Sequence, residues 1–97
     1  MLTVIATIRS KKGAEDKVRR QLIGLVPPTR KEDGCIEYVL YQDQSDTSTL
    51  MVYENWESKA HLDAHMQTAH FKECFAVIEG MYELKVQLLS DVSHGGD

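Results

Sequence analysis

The spacing of apolar residues changes period along this chain in a fixed order, and that order limits the possible folds more than any other feature. Residues 2 to 9, LTVIATIR, alternate and are rich in β-branched types, which predicts a strand with both faces at least partly covered. After Gly13 the apolar positions fall at Ala14, Val18, Leu22, Leu25 and Val26, one stripe along a helix. Pro27 and Pro28 remove two backbone donors and crowd the preceding turn, so this helix is expected to stop or kink near Val26 before a short turn to Asp33. CIEYVLYQ from Cys35 and TLMVYENW from Thr49, joined by the polar loop DQSDTS, read as a hairpin. Ser58 and Thr68 are N-cap candidates for helical segments with stripes at Leu62, Met66, Ala69 and at Phe71, Cys74, Phe75, Ile78. Met81 to Leu89 alternates again as a last strand, and residues 91–97 read as a frayed tail.

The order βαββαβ is the split βαβ arrangement of the ferredoxin-like α+β fold, an antiparallel sheet with helices on one face. Both parities of the early strands are apolar or aromatic (Cys35, Val39 and Tyr41 as well as Ile36, Tyr38 and Leu40), so water on the second face would leave a large patch exposed. A homodimer through that sheet face is therefore expected. At 97 residues and 42% hydrophobic content the chain holds one domain, 1–97, with a modest core. A net charge of −4 argues against nucleic acid as a partner. The positive charge gathers early, at Arg9, Lys11, Lys12, Lys17, Arg19 and Arg20, as a solvated helical face or an attractor of an anionic ligand. No apolar stretch approaches the roughly 20 residues that span a bilayer, and no export signal is visible, so no membrane contact and a cytoplasmic location are expected. Cys35 and Cys74 form no CxxC and are expected to be reduced.

Chemistry concentrates between Glu54 and Phe71, where a strand end meets a segment with three histidines. His65 follows Leu62 by three residues and precedes Met66, so its ring points along the inward edge of a helix. Three uses fit that position: a satisfied histidine at the core edge, an acid or base lining a pocket, or a metal ligand shared with His61 and His70. The metal reading lacks support from motif, because H-L-D-A-H is not H-E-x-x-H and Asp63 falls on a different face. Glu54 stands in the apolar parity Leu50, Val52, Glu54, Trp56, and a carboxylate so placed must be paired, hydrogen-bonded or shifted in pKa. It either orients a histidine or makes a structural bond at the strand end. Trp56, Tyr38, Tyr53 and Phe75 fit core or interface as well as ligand contact. The sequence has no G-x-S-x-G, no dinucleotide fingerprint and no phosphate loop.

Three segments, M-L-T-V-I-A-x-I-R at the start, E-D-G-C-x-x-Y at 32 to 38 and E-x-W-E-S-x-A-H-L-x-A-H-x-Q-T-x-H at 54 to 70, together resemble the antibiotic biosynthesis monooxygenase domain family, in its small quinol monooxygenase branch. The resemblance covers essentially the whole chain, and the last segment is the specific one. It implies a dimeric α+β barrel that oxidises electron-rich hydroxylated aromatics with O2, with no metal, flavin or nicotinamide as cofactor. Glu54, Trp56, His65 and His70 match the family's motif, as do Gly34, Cys35 and Tyr38. On this reading Trp56, Tyr38 and Phe75 wall the substrate and His65 takes its hydroxyl proton. Glu54 holds the histidine's tautomer, and His70 or Asn55 bonds the developing quinone oxygen. The haem-degrading branch carries Asn, Trp and His where this chain has Ala6, His65 and Phe75, which argues against haem. Two alternatives are carried forward: an isomerase of a small phosphorylated signalling sugar, another branch with the helix histidine and T-x-H element, and a non-catalytic dimeric ligand-binding domain.

Overall fold

A computed structural model describes residues 1–95. The elements run β1 (Leu2–Ser10), α1 (Glu15–Arg30), β2 (Cys35–Gln42), β3 (Thr49–Trp56), α2 (Lys59–His65), α3 (Ala69–Val77) and β4 (Tyr82–Leu89). All three strand pairings are antiparallel, in the order β2-β3-β1-β4, so the chain has the expected ferredoxin-like α+β architecture. Positions 90–95 carry no helix or strand, and the last two residues of the expected tail lie outside the described residues. No described helix is long and apolar enough to cross a membrane.

The core lies between the helices and one sheet face. Val4, Ala6 and Ile8 of β1 stand beside Leu50, Val52 and Glu54 of β3, and Val18, Leu22 and Leu25 of α1 close over them, all buried. A bulge at Ile36 interrupts the β2–β3 register between Cys35 and Glu37. Simple alternation would put Cys35 and Tyr38 on opposite faces. The extra residue instead places Cys35 across from Trp56 and Tyr38 across from Glu54, both on the helix side, and leaves Ile36 exposed.

Helix α1 departs from expectation, because it runs through Pro27 and Pro28 to Arg30 instead of stopping near Val26. The carbonyls that lose their donors belong to Ile23 and Gly24, four residues earlier on the exposed side of the helix, where water can bond them. The continuation is held by contacts at its inner side. Thr29 is fully buried and its hydroxyl donates to the Leu25 carbonyl at 2.7 Å. Arg30 Nε donates to the Tyr38 carbonyl at 2.9 Å, which pins the helix end to β2.

The two short helices begin where their caps were read, since Ser58 Oγ accepts from the His61 amide and Thr68 Oγ1 from the Phe71 amide. The inward residues of α2 are Leu62 and His65, while Met66 caps the helix and is 38% exposed. Leu84, Val86 and Leu88 pair with Ile8, Ala6 and Val4 and share their face, yet each remains about half exposed because α1 covers the β2 side of the sheet. That uncovered half of the sheet becomes the floor of a cavity.

Candidate functional site

The cavity has a volume of about 440 Å³. Its floor is Val4, Ala6 and Ile8 with Leu84, Val86 and Leu88, and its wall is Leu62, His65 and Met66 with Phe71 and Phe75 of α3. Tyr38 and Glu54 reach it from β2 and β3. Apart from Lys59 and Asp63, which bond each other at the rim (3.2 Å), the polar groups in this lining are Tyr38, Glu54 and His65.

His65 is 1% exposed and its ring packs 4.8 Å from that of Trp56 and 5.0 Å from that of Phe71. Its Nδ1 lies 2.7 Å from Glu32 Oε2, and the same oxygen lies 2.6 Å from His70 Nε2. An ionised carboxylate only accepts, so both imidazole nitrogens donate, and neutral His65 then carries its proton on Nδ1 and a lone pair on Nε2. No hydrogen bond among the described residues engages that Nε2. His65 is part of the cavity lining. Burial holds His65 below the ordinary histidine pKa, against Glu32, which favours the charged form.

Glu54 turns its Oε1 to Trp56, whose indole nitrogen donates at 2.8 Å. Burial pushes the Glu54 carboxyl up to about 7, more than the indole bond lowers it. The Tyr38 hydroxyl is likewise raised, first by burial and then by the charge of Glu54. The cavity therefore brings together an unprotonated imidazole nitrogen and a carboxyl that changes charge near neutrality.

Several expectations change on this geometry. Glu54 does not hold the tautomer of His65; Glu32 does, from the turn after α1. Asn55 is buried, but alternation along β3 sends its side chain to the opposite sheet face, where it accepts from Thr3 Oγ1 at 2.6 Å and donates to Glu37 at 2.8 Å. It cannot reach a molecule in the cavity. Trp56 is fully buried behind His65 and Glu54 and supports them without lining the cavity. His70 is outside the lining as well, tied to Glu32. Phe75 and Tyr38 line the cavity. His61 faces away from the other two histidines, with Nδ1 2.8 Å from Ser58 Oγ and Nε2 3.5 Å from Asp33. The basic residues Arg9, Lys11, Lys12, Lys17, Arg19 and Arg20 are absent from the cavity lining. Glu32 had no sequence signal beyond its place at the head of E-D-G-C, because the contact spans 33 residues to His65 and 38 to His70.

Comparison with known proteins gives the family. The family model described as "Antibiotic biosynthesis monooxygenase" matches residues 1–77. The Escherichia coli K12 protein named "Probable quinol monooxygenase YgiN" is 38% identical, over 92% of this chain and 96% of its own. Among solved structures, PA3566 from Pseudomonas aeruginosa superposes with a TM-score of 0.91 at 34% identity, covering 95% of this chain and 94% of that one. Rv0793 from Mycobacterium tuberculosis gives a TM-score of 0.86 at 28% identity, over 93% of each chain. With the fold, the 54–70 motif and these relatives in agreement, the chain belongs to the antibiotic biosynthesis monooxygenase family.

Proposed function

We propose that this chain oxidises a hydroxylated, quinol-type aromatic with O2 and needs no metal, flavin or nicotinamide to do so. The observation that carries the reading is the free Nε2 of His65 on the wall of an otherwise apolar cavity, with Nδ1 fixed by Glu32. Flat aromatic rings fit a space bounded by Phe71, Phe75 and aliphatic strand residues, and a hydroxyl turned toward His65 meets a lone pair. A positioned base of this kind contributes about 10²–10⁴-fold in rate.

Removal of the proton gives an electron-rich anion that reduces O2 itself. For a naphthoquinol, one oxygen atom enters a ring carbon and the other leaves as water with the two hydroxyl hydrogens, so quinol and O2 become hydroxyquinone and water. The second half of that sequence needs a proton for the departing oxygen. Glu54, with its pKa near 7, retains a protonated fraction at neutral pH and is the donor we assign. The apolar floor excludes water from the anion. The name of the Escherichia coli relative agrees with this substrate class.

The second sheet face supports a homodimer. Val39 pairs with Tyr53 and Tyr53 with Ile5, while Tyr41 pairs with Met51, giving one contiguous apolar and aromatic patch in which Tyr41 is 57% exposed. A second copy burying the same patch satisfies the symmetry of a twofold interface.

The test is oxygen uptake with naphthoquinol and anthrone substrates by chelator-treated protein, beside His65→Ala. Enzyme-dependent uptake that falls at least about 100-fold in the variant is expected from loss of the base. Uptake equal to autoxidation for every substrate would favour the isomerase or the binding-domain reading, and full activity of the variant at saturating quinol would remove His65 from its role.

A further inference from the structure

The same histidine also belongs to a constellation with Glu32 and His70, whose second imidazole the oxidation does not use. Glu32 Oε2, His65 Nδ1 and His70 Nε2 all lie within 4.8 Å of one another. They come from the turn after α1, the end of α2 and the first turn of α3, and their side chains are 12%, 2% and 29% exposed. We propose that these three residues form a site for a divalent transition-metal ion of the zinc or cobalt type, and that the ion silences the base instead of serving the reaction. The silencing half rests on the reading of His65 above; the binding half does not.

Two imidazoles and a carboxylate suit zinc and cobalt better than calcium or magnesium, which prefer all-oxygen sets. The electrostatics point the same way. Among the described residues, the ion pairs of Glu32 are with His65 and His70 and with no Lys or Arg. A largely buried carboxylate is thus met by imidazole N–H groups alone, and a cation in place of their protons satisfies all three groups at once.

The donors now stand at hydrogen-bond separations of 2.7 and 2.6 Å. Tetrahedral ligands on bonds of 2.0–2.1 Å lie about 3.3 Å apart, so Glu32 must draw back by roughly 0.6 Å. It is the one member of the set held by a turn instead of a helix. The partly exposed edge of His70 supplies an entry path and room for a water as fourth ligand.

Occupancy has a defined chemical consequence. A metal on Nδ1 needs the lone pair there, so the one proton of neutral imidazole sits on Nε2. That nitrogen becomes a donor and can no longer accept a hydroxyl proton. Bound metal and active base are mutually exclusive states of one ring.

A neighbouring set, Asp33, Glu57 and His61, lies at the surface and supplies the control. Tag-free, chelator-stripped protein is titrated with Zn²⁺ by calorimetry and with Co²⁺ by visible absorption, beside His70→Ala, Glu32→Gln and His61→Ala, each checked for folding by circular dichroism. One ion per chain is expected, about tenfold or more weaker in His70→Ala and Glu32→Gln and unchanged in His61→Ala. Naphthoquinol-dependent oxygen uptake should fall in proportion to occupancy and return with chelator. The absence of binding, or binding lost in His61→Ala and kept in both other variants, overturns the site. Binding at the site with uptake unaffected leaves the site standing and refutes His65 as the base, and in a protein that oxidises no quinol the titrations alone decide the site.

Discussion

Replacing Glu54 by Gln should stabilise this protein above neutral pH while damaging its chemistry. The carboxyl is buried against Trp56 and its pKa rises from 4.5 to about 7. Between those two values the unfolded chain has released a proton that the folded chain still binds, so stability falls as pH rises through this window. At about 1.4 kcal/mol per pH unit the loss amounts to about 3 kcal/mol by pH 8, and below pH 4 it vanishes because both states are protonated. Gln is isosteric, its carbonyl can accept from the Trp56 indole as Oε1 now does at 2.8 Å, and it never ionises. Glu54→Gln should therefore match the parent near pH 4 and exceed it by up to about 3 kcal/mol at pH 8, a rise in Tm of up to roughly 12–24 °C for a domain of this size. Urea unfolding of both proteins from pH 4 to 8 measures it directly. A variant that tracks the parent's pH dependence, or is less stable at pH 8, would refute the account of Glu54 as a carboxyl kept neutral by burial. The same variant should lower quinol turnover, since an amide cannot give up a proton to the departing oxygen.

Trp56→Phe removes the donor that lowers the Glu54 pKa, so the pH window of declining stability should extend upward, with an added cost of about 1–3 kcal/mol for the lost bond; denaturant unfolding at pH 5 and 8 reads both. Gly34 has φ +80° and a Cβ there would collide with the ring of His61. Gly34→Ala should thus unfold at lower denaturant, and Gly34→Ala with His61→Ala should recover only the part due to the ring, leaving the contact with the residue 61 Cβ at 2.7 Å and about 1–2 kcal/mol of backbone strain. Met51→Lys sets a charge inside the apolar patch with Tyr41 and Tyr53, and sedimentation should show dimer converting to monomer with the monomer's circular dichroism unchanged; an oligomeric state that ignores the substitution would count against the sheet face.

Periodicity carried the element order, both short-helix caps and the inward parity of Glu54, because each depends on neighbours a few residues away. Asn55 is legible in principle, since alternation with Glu54 and Trp56 already assigns it to the other face. Cys35 was not legible, because a bulge at Ile36 changes which face it takes and no local pattern announces that. The role of Glu32 was also hidden, for a reason that lies in α1.

The position of the helix end and that of the Glu32 carboxylate have one cause. A helix that stopped at Val26 would be four residues shorter than one ending at Arg30, or about 6 Å short at 1.5 Å per residue. The turn carrying Glu32 would then begin well before the histidines. Because Thr29 is buried and Arg30 is bonded to the Tyr38 carbonyl, α1 is held at full length against β2. Its final turn delivers Lys31 to Gly34 beside the end of α2, and Glu32 meets both imidazoles there. Proline propensity is a local cost at two positions whose freed carbonyls face water, whereas the packing of Leu25 and Thr29 is buried on the core side and decides the outcome. The tautomer of His65, and with it the free nitrogen on the cavity wall, therefore depends on tertiary contacts that carry a helix past the point where its own sequence would end it.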